Sequence, residues 1–267
     1  MKYAILTVII LLICVAAGWL ITGLVSAKTN VKHKVLMAAA ISIVLIVAVS
    51  SVYLSIYYRA DNSAKDDLHS SSTVEVKQND DVYWFDGSGD EYAIAFFPGA
   101  KVDEKAYAPL MFKLAEKGVD CFLIMPPLNL AVMDGDAPDS FLSAYDYDHW
   151  YVMGHSLGGS VAASYCSDNP DAVDGVILLA AYPTAEIPDS ERLLSIYGTK
   201  DSCLERDVYE ESKENWPKDS SEVVIKGANH SGFGNYGAQR GDGVADITAD
   251  EQQSKTVLEI IRFIGIS

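Results

Sequence analysis

From Trp150 to Tyr165 the chain reads as a strand, a tight turn and a helix, and the turn is Gly154-His155-Ser156-Leu157-Gly158. No other segment constrains the fold as strongly. A turn that passes so abruptly from strand to helix forces its central residue into a strained backbone conformation, and nothing larger than hydrogen fits two residues to either side. Both of those positions are glycine. Ser156 is thereby lifted above the edge of a sheet, at a helix N-terminus whose dipole favours nearby negative charge. A Gly-x-Ser-x-Gly turn in this setting is a nucleophile elbow.

The first quarter of the chain has a different character. Two charge-free apolar runs, Tyr3 to Ala27 and Val35 to Tyr58, are each long enough to cross a hydrocarbon core of about 30 Å as a helix. Between them Lys28-Thr29-Asn30-Val31-Lys32-His33-Lys34 reads as a basic hairpin at a membrane surface. The lysine bias predicts a cytoplasmic loop, which puts everything after Arg59 on the outer face of the cell membrane. The alternative is a signal peptide cleaved after Val25-Ser26-Ala27, although its apolar region is longer than such peptides usually carry. The expected organisation is a two-helix transmembrane anchor over residues 1–60, a polar linker over 61–73 and a catalytic domain over 74–267.

Charge excludes one class of partner. The first 60 residues hold five of the 20 basic residues and none of the 37 acidic ones, so the remainder carries a net charge of −22. Such a domain does not bind nucleic acid. The four cysteines show no C-x-x-C spacing that would suggest a metal or redox site.

Beyond the linker, strand and helix signals alternate in the manner of a mostly parallel sheet with helices on both faces. Expected strands are 73–77, 82–85, Tyr92 to Phe97, Val119 to Met125, the elbow strand, Val173 to Ala180, Leu193 to Tyr197 and Glu222 to Lys226. Expected helices include Tyr107 to Lys117, Leu204 to Asn215 and Glu251 to Ile264. Only some twelve residues separate the sixth and seventh strands, so little or no lid is expected over the serine.

A serine hydroxyl needs a base, and a neutral imidazole is suited to that at pH 7. Of the five histidines, His33 and His69 precede the sheet, His149 lies at the opposite strand edge, and His155 is held within the elbow. His230, in the loop after the last strand, remains. The ends of parallel strands share one edge, so this loop can meet the elbow. Asp201, after the penultimate strand, is the carboxylate placed to orient His230. Asp168, Asp174, Asp207 and Glu211 fall on helices or at the other edge. Two backbone N–H groups complete an oxyanion hole: that of Leu157, and one from the turn Pro98-Gly99-Ala100, with Ala100 preferred and Gly99 the alternative.

Ser156, Asp201 and His230 in this order resemble the α/β-hydrolase superfamily, over about Val82 to Ile264. Within it the chain is similar to the compact dienelactone-hydrolase-like branch, including membrane-anchored bacterial members with a Pro-Gly-Ala turn and an Asn-His-x-x-Phe-Gly segment. Here these are Pro98-Gly99-Ala100 and Asn229-His230-Ser231-Gly232-Phe233-Gly234. Dienelactone hydrolases proper use a cysteine nucleophile where this chain has Ser156. The resemblance therefore implies hydrolysis of a small-molecule or lipid-like ester, not dienelactone as substrate. This chemistry calls for no metal or organic cofactor. The competing functions are an acyltransferase on the same fold and a non-catalytic binding module.

The glycine-rich stretch Phe233 to Gly243 reads equally as a flap over the site or as a surface connection. Its Arg240-Gly241-Asp242 spells an adhesion tripeptide, which short motifs do by accident.

Overall fold

The computed structural model describes residues 2–25, 30–79 and 81–266, with side chains from Ile10 onward. It divides into two compact units, residues 1–56 and 57–267.

The first unit is a pair of helices, α1 (Lys2–Val25) and α2 (Val31–Ser55). Asn30 caps α2 by accepting from the Lys32 N–H at 2.7 Å. The helices meet through small residues: a Cβ at Gly18 would collide with the Ala38 carbonyl and the Ser42 hydroxyl. Such contacts let helix backbones approach closely. Among the described residues only α2 is long and apolar enough to cross a membrane. The apolar part of α1 that is described with side chains, Ile10–Val25, is shorter. Two spans were expected and one is found. Residues 26–29, which include Lys28 and most of the alternative cleavage sequence, lie outside the described residues. Lys32, His33 and Lys34, expected in a loop, form the first turn of α2.

The second unit is built on an eight-stranded sheet. Its strands are β1 (Glu75–Gln78), β2 (Val82–Asp86), β3 (Tyr92–Phe97), β4 (Val119–Ile124), β5 (His149–His155), β6 (Gly175–Leu179), β7 (Arg192–Gly198) and β8 (Asp219–Ile225). The order is β1-β2-β4-β3-β5-β6-β7-β8. The β1–β2 and β2–β4 pairs are antiparallel and every later pair is parallel. The central strands read as unbroken apolar runs because both of their faces are covered. Along β3, Ile94 and Phe96 pack on one face, whereas Ala93, Ala95 and Phe97 pack on the other. The first face lies under α4 (Ala108–Ala115) and α8 (Ala249–Ile264), the second under α5 (Pro138–Leu142) and α6 (Leu157–Asp168). No helix lies between β6 and β7, whose connection runs from Ala180 to Glu191. The sequence expectation of little or no lid agrees with that.

The stretch expected as a linker is folded. Tyr58 pairs with Val102 in a parallel bridge, its N–H donating to the Lys101 carbonyl at 2.7 Å and its carbonyl accepting from Asp103 at 2.8 Å. Asp61 caps a short helix, α3 (Asn62–Asp66), and Ala60 and Ala64 are buried in the core. The boundary therefore falls at Tyr57 and not near Val74. Composition hid this because two alanines supply the buried contact, and alanine carries little apolar signal.

Candidate active site

The elbow is built as its glycines require. Ser156 stands between β5 and α6 with φ 53° and ψ −125°, a left-handed conformation that costs a non-glycine residue about 1–3 kcal/mol. A Cβ at Gly154 would collide with the Gly158 backbone, and one at Gly158 with the carbonyls of Phe97 and Pro98. The turn after β3 is thus pressed against the start of α6. In that turn the Gly99 N–H donates to the Tyr107 hydroxyl at 3.1 Å. Gly99 is therefore already engaged. The N–H groups of Ala100 and Leu157 have no acceptor among the described residues.

At the same strand edge, Asp201 and His230 form a buried pair. His230 Nδ1 lies 3.0 Å from Asp201 Oδ2, and both side chains are almost wholly enclosed. The other carboxylate oxygen accepts from the Cys203 and Leu204 N–H groups at 2.8 and 2.9 Å. Burial alone would raise the Asp201 pKa. The hydrogen bond and charge of His230 outweigh it, together with the two N–H donors, and hold the carboxyl below its usual range. An ionised Asp201 fixes the imidazole with hydrogen on Nδ1. Nε2 is then a lone-pair acceptor, buried and without a partner among the described residues. His230 and Ser156 line one cavity of about 200 Å³, together with Leu157, Tyr182, Cys203 and Leu204.

A larger cavity of about 590 Å³ opens at the opposite strand edge, beside Tyr92, His149 and Arg192. It has no serine in a strained turn and no enclosed imidazole. His149 there bonds to Asp174 at 3.0 Å, which takes Asp174 away from the elbow. Asp207 and Glu211 are exposed on α7 (Arg206–Glu211).

Asp201, Cys203 and His230 are also close enough for their donor atoms to approach one metal ion. Their bonding does not fit that use: Asp201 and His230 are bonded to each other. The Cys203 thiol is raised to about 11, first by burial and then by Asp242 and Asp201, so it stays protonated.

Several residues of the site lay beyond sequence reasoning. Asp242, in the tripeptide set aside as accidental, accepts the N–H groups of His230 at 3.2 Å, Ser231 at 2.8 Å and Gly243 at 2.8 Å. Gln252, enclosed on α8, bonds to both the N–H and the carbonyl of Asn229. The glycine-rich stretch is anchored, since Phe233 and Tyr236 are buried. Tyr236 packs against Tyr58 and Tyr107. Its only advance signal was the pair of aromatics among the glycines.

A mostly parallel, doubly covered sheet with a serine at its sharpest strand-to-helix turn defines a hydrolase-type scaffold. The sequence pattern of the Alpha/beta hydrolase family matches residues 93–254, more than half of the chain, and the chain belongs to that family. Among solved structures it is similar to a predicted CIB-like hydrolase from Thermoplasma acidophilum, with 16% identity over 71% of this chain and 99% of that one and a TM-score of 0.53. A thermophilic esterase from Thermogutta terrifontis aligns with 17% identity over 73% and 93%, TM-score 0.50. A dienelactone hydrolase from Anabaena variabilis aligns with 14% identity over 72% and 99%, TM-score 0.52. At these identities the likeness is one of fold. No curated protein matches the chain significantly.

Proposed function

We propose that the protein is a membrane-tethered serine hydrolase that cleaves an ester or related acyl bond. The observation that carries this reading is the unpartnered, buried Nε2 of His230, which shares one cavity with the strained Ser156. Ser156 Oγ attacks the acyl carbonyl while His230 Nε2 takes its proton. The charge on the former carbonyl oxygen is held by the free N–H groups of Leu157 and Ala100. As the C–O bond to the leaving group breaks, His230 returns the proton to the departing alkoxide. Water then attacks the acyl-enzyme, giving its proton to His230, which passes it to Ser156 Oγ as the bond from that oxygen to the acyl carbon breaks and the acid product leaves. Asp201 stays ionised throughout and stabilises the imidazolium.

The cavity is smaller than the roughly 300–1,000 Å³ of ordinary ligand sites, which favours a short acyl group. Glu205 is exposed at its mouth, and the acidic surroundings favour neutral or cationic esters over anionic ones. The long apolar α2 supports the tether, and the lysines at its start support an outward-facing catalytic unit.

The test is activity-based labelling. A fluorophosphonate should label the protein, and Ser156→Ala should abolish both labelling and hydrolysis of short p-nitrophenyl esters. Equal labelling of that variant would remove Ser156 from the mechanism.

A further inference from the structure

The catalytic reading leaves one buried group unexplained. His155, adjacent to the serine, is fully enclosed, yet both of its ring nitrogens are bonded and its ring centre lies 4.6 Å from that of His230. Nδ1 is 2.7 Å from the Tyr107 hydroxyl, and Nε2 is 3.0 Å from the backbone carbonyl of His230. Tyr107, also fully buried, receives the Gly99 N–H on the same hydroxyl.

The two ends of this series have fixed roles, and a neutral ring sets the bond between them. A carbonyl can only accept, so His155 Nε2 carries hydrogen. In a neutral ring Nδ1 is then the acceptor, so the Tyr107 hydroxyl donates to it while its oxygen accepts the Gly99 N–H. Burial, then the neighbouring His230, push the His155 pKa well below the usual range, consistent with a neutral ring. Position 99 has no spare room, since a Cβ there would press on both His155 Nδ1 and the Tyr107 hydroxyl.

We propose that Tyr107 and His155 are positioning residues: one hydrogen-bond series running Gly99, Tyr107, His155, His230 ties the turn before Ala100 and the backbone of the general base to the elbow. The proposal takes its catalytic meaning from the serine-hydrolase reading above. The nucleophile, the oxyanion turn and the histidine loop sit on three separate connections, after β5, β3 and β8. Their relative placement must hold to a fraction of an ångström, because a misplacement of about 1 Å can cost on the order of a hundredfold in rate. A series that touches all three supplies that constraint from beneath the site, without meeting substrate.

Two measurements on the full-length chain in detergent test it. The first needs no variant that alters folding of the measured protein: with nitrogen-labelled histidine, NMR of the wild type should show one ring held as the neutral Nε2–H tautomer from pH 8 to pH 5. Its assignment to His155 comes from its loss in His155→Asn. The second is kinetic. Tyr107→Phe should lower kcat by about ten- to a hundredfold with KM within about twofold, because transition-state geometry is disturbed and substrate contacts are not. His155→Gln retains a donor toward the His230 carbonyl and should keep more activity than His155→Asn, which retains only the acceptor toward Tyr107. A general loss of packing would not produce that ranking.

An Nδ1–H or doubly protonated ring at pH 7 overturns the proposal, as does Tyr107→Phe with wild-type kcat. If the wild type takes up no fluorophosphonate, the hydrolase reading fails separately. The NMR measurement then still decides whether the bonded series exists.

Discussion

Asp242 holds His230 from behind, its carboxylate accepting the His230 N–H at 3.2 Å on one oxygen and the Ser231 N–H at 2.8 Å on the other. The residue that fixes the backbone of the proposed base thus comes from the glycine-rich loop, which read equally as a flap or as a surface connection. Asp242→Asn leaves one oxygen to accept and turns an NH₂ toward a donor. We expect a loss of about 1–3 kcal/mol in stability, the usual cost of leaving a buried donor unpaired. Urea denaturation of the two proteins checks it, and a fall in kcat should accompany the shift.

Asp201→Asn separates orientation from folding. The Asn oxygen can still accept from Cys203 and Leu204, which aims its NH₂ at His230 Nδ1. Nδ1 must then accept, so the hydrogen moves to Nε2 and faces Ser156. The rate of ester hydrolysis should fall by up to about 10⁴-fold with the circular dichroism spectrum unchanged. A loss of less than about tenfold would assign the orienting role to another group.

The elbow glycines admit no side chain. Gly158→Ala places a methyl group against two fixed backbone carbonyls, those of Phe97 and Pro98, which no side-chain rotation relieves. We expect destabilisation beyond the roughly 3 kcal/mol that most substitutions stay under. Thermal melting of the variant checks it, and Gly23→Ala on α1, with open space around it, should melt as the wild type.

Acid should weaken the folded state in two windows. The His155 pKa is depressed by folding, so below the unfolded value of about 6.5 the unfolded chain binds a proton that the native one refuses. Stability therefore falls as pH drops below that point, by up to about 1.4 kcal/mol per pH unit for one proton. Asp201 is also depressed, so its contribution is present above the unfolded value of about 3.9 and is lost as pH falls below it. Melting temperatures between pH 8 and 4 should decline less steeply near pH 6 in His155→Gln than in the wild type.

The segment 61–73 should resist proteolysis. Asp61 N–H bonds to the Asn235 carbonyl at 2.8 Å, and Ala64 is fully buried. Trypsin applied to the full-length protein should leave Lys65 uncut, whereas Ala64→Asp, which buries a charge, should open that site. Cleavage at Lys65 at equal rates in both proteins would contradict the packing of α3.

What the sequence revealed follows from how far apart its signals lie. The elbow is local: strand, glycines, serine and helix fall within sixteen residues, and the structure has them at the expected positions. The central strands were legible because burial on both faces leaves unbroken apolar runs such as Tyr92–Phe97 and Val119–Ile124. Asp201 and His230 came from one topological rule, that parallel strands end at one edge. Features set by a single long-range pairing were not legible. Tyr58 meeting Val102, Asp242 meeting His230 and Tyr107 meeting His155 join residues 44, 12 and 48 positions apart with no periodic pattern to announce them. The N-terminus of α8 was a missed local signal: Thr248 accepts from the Glu251 N–H, and Thr-x-x-Glu is a capping pattern.

Two imidazoles with centres 4.6 Å apart would ordinarily compete for one proton. Here burial first, and the neighbouring His230 second, push the His155 pKa well below its usual range, while its two nitrogens stay bonded to Tyr107 and to the His230 carbonyl. A neutral His155 adds no charge beside the imidazole that the proposed mechanism charges and discharges. In the proposed mechanism the serine is thus flanked by a histidine that insulates, and served by one that conducts.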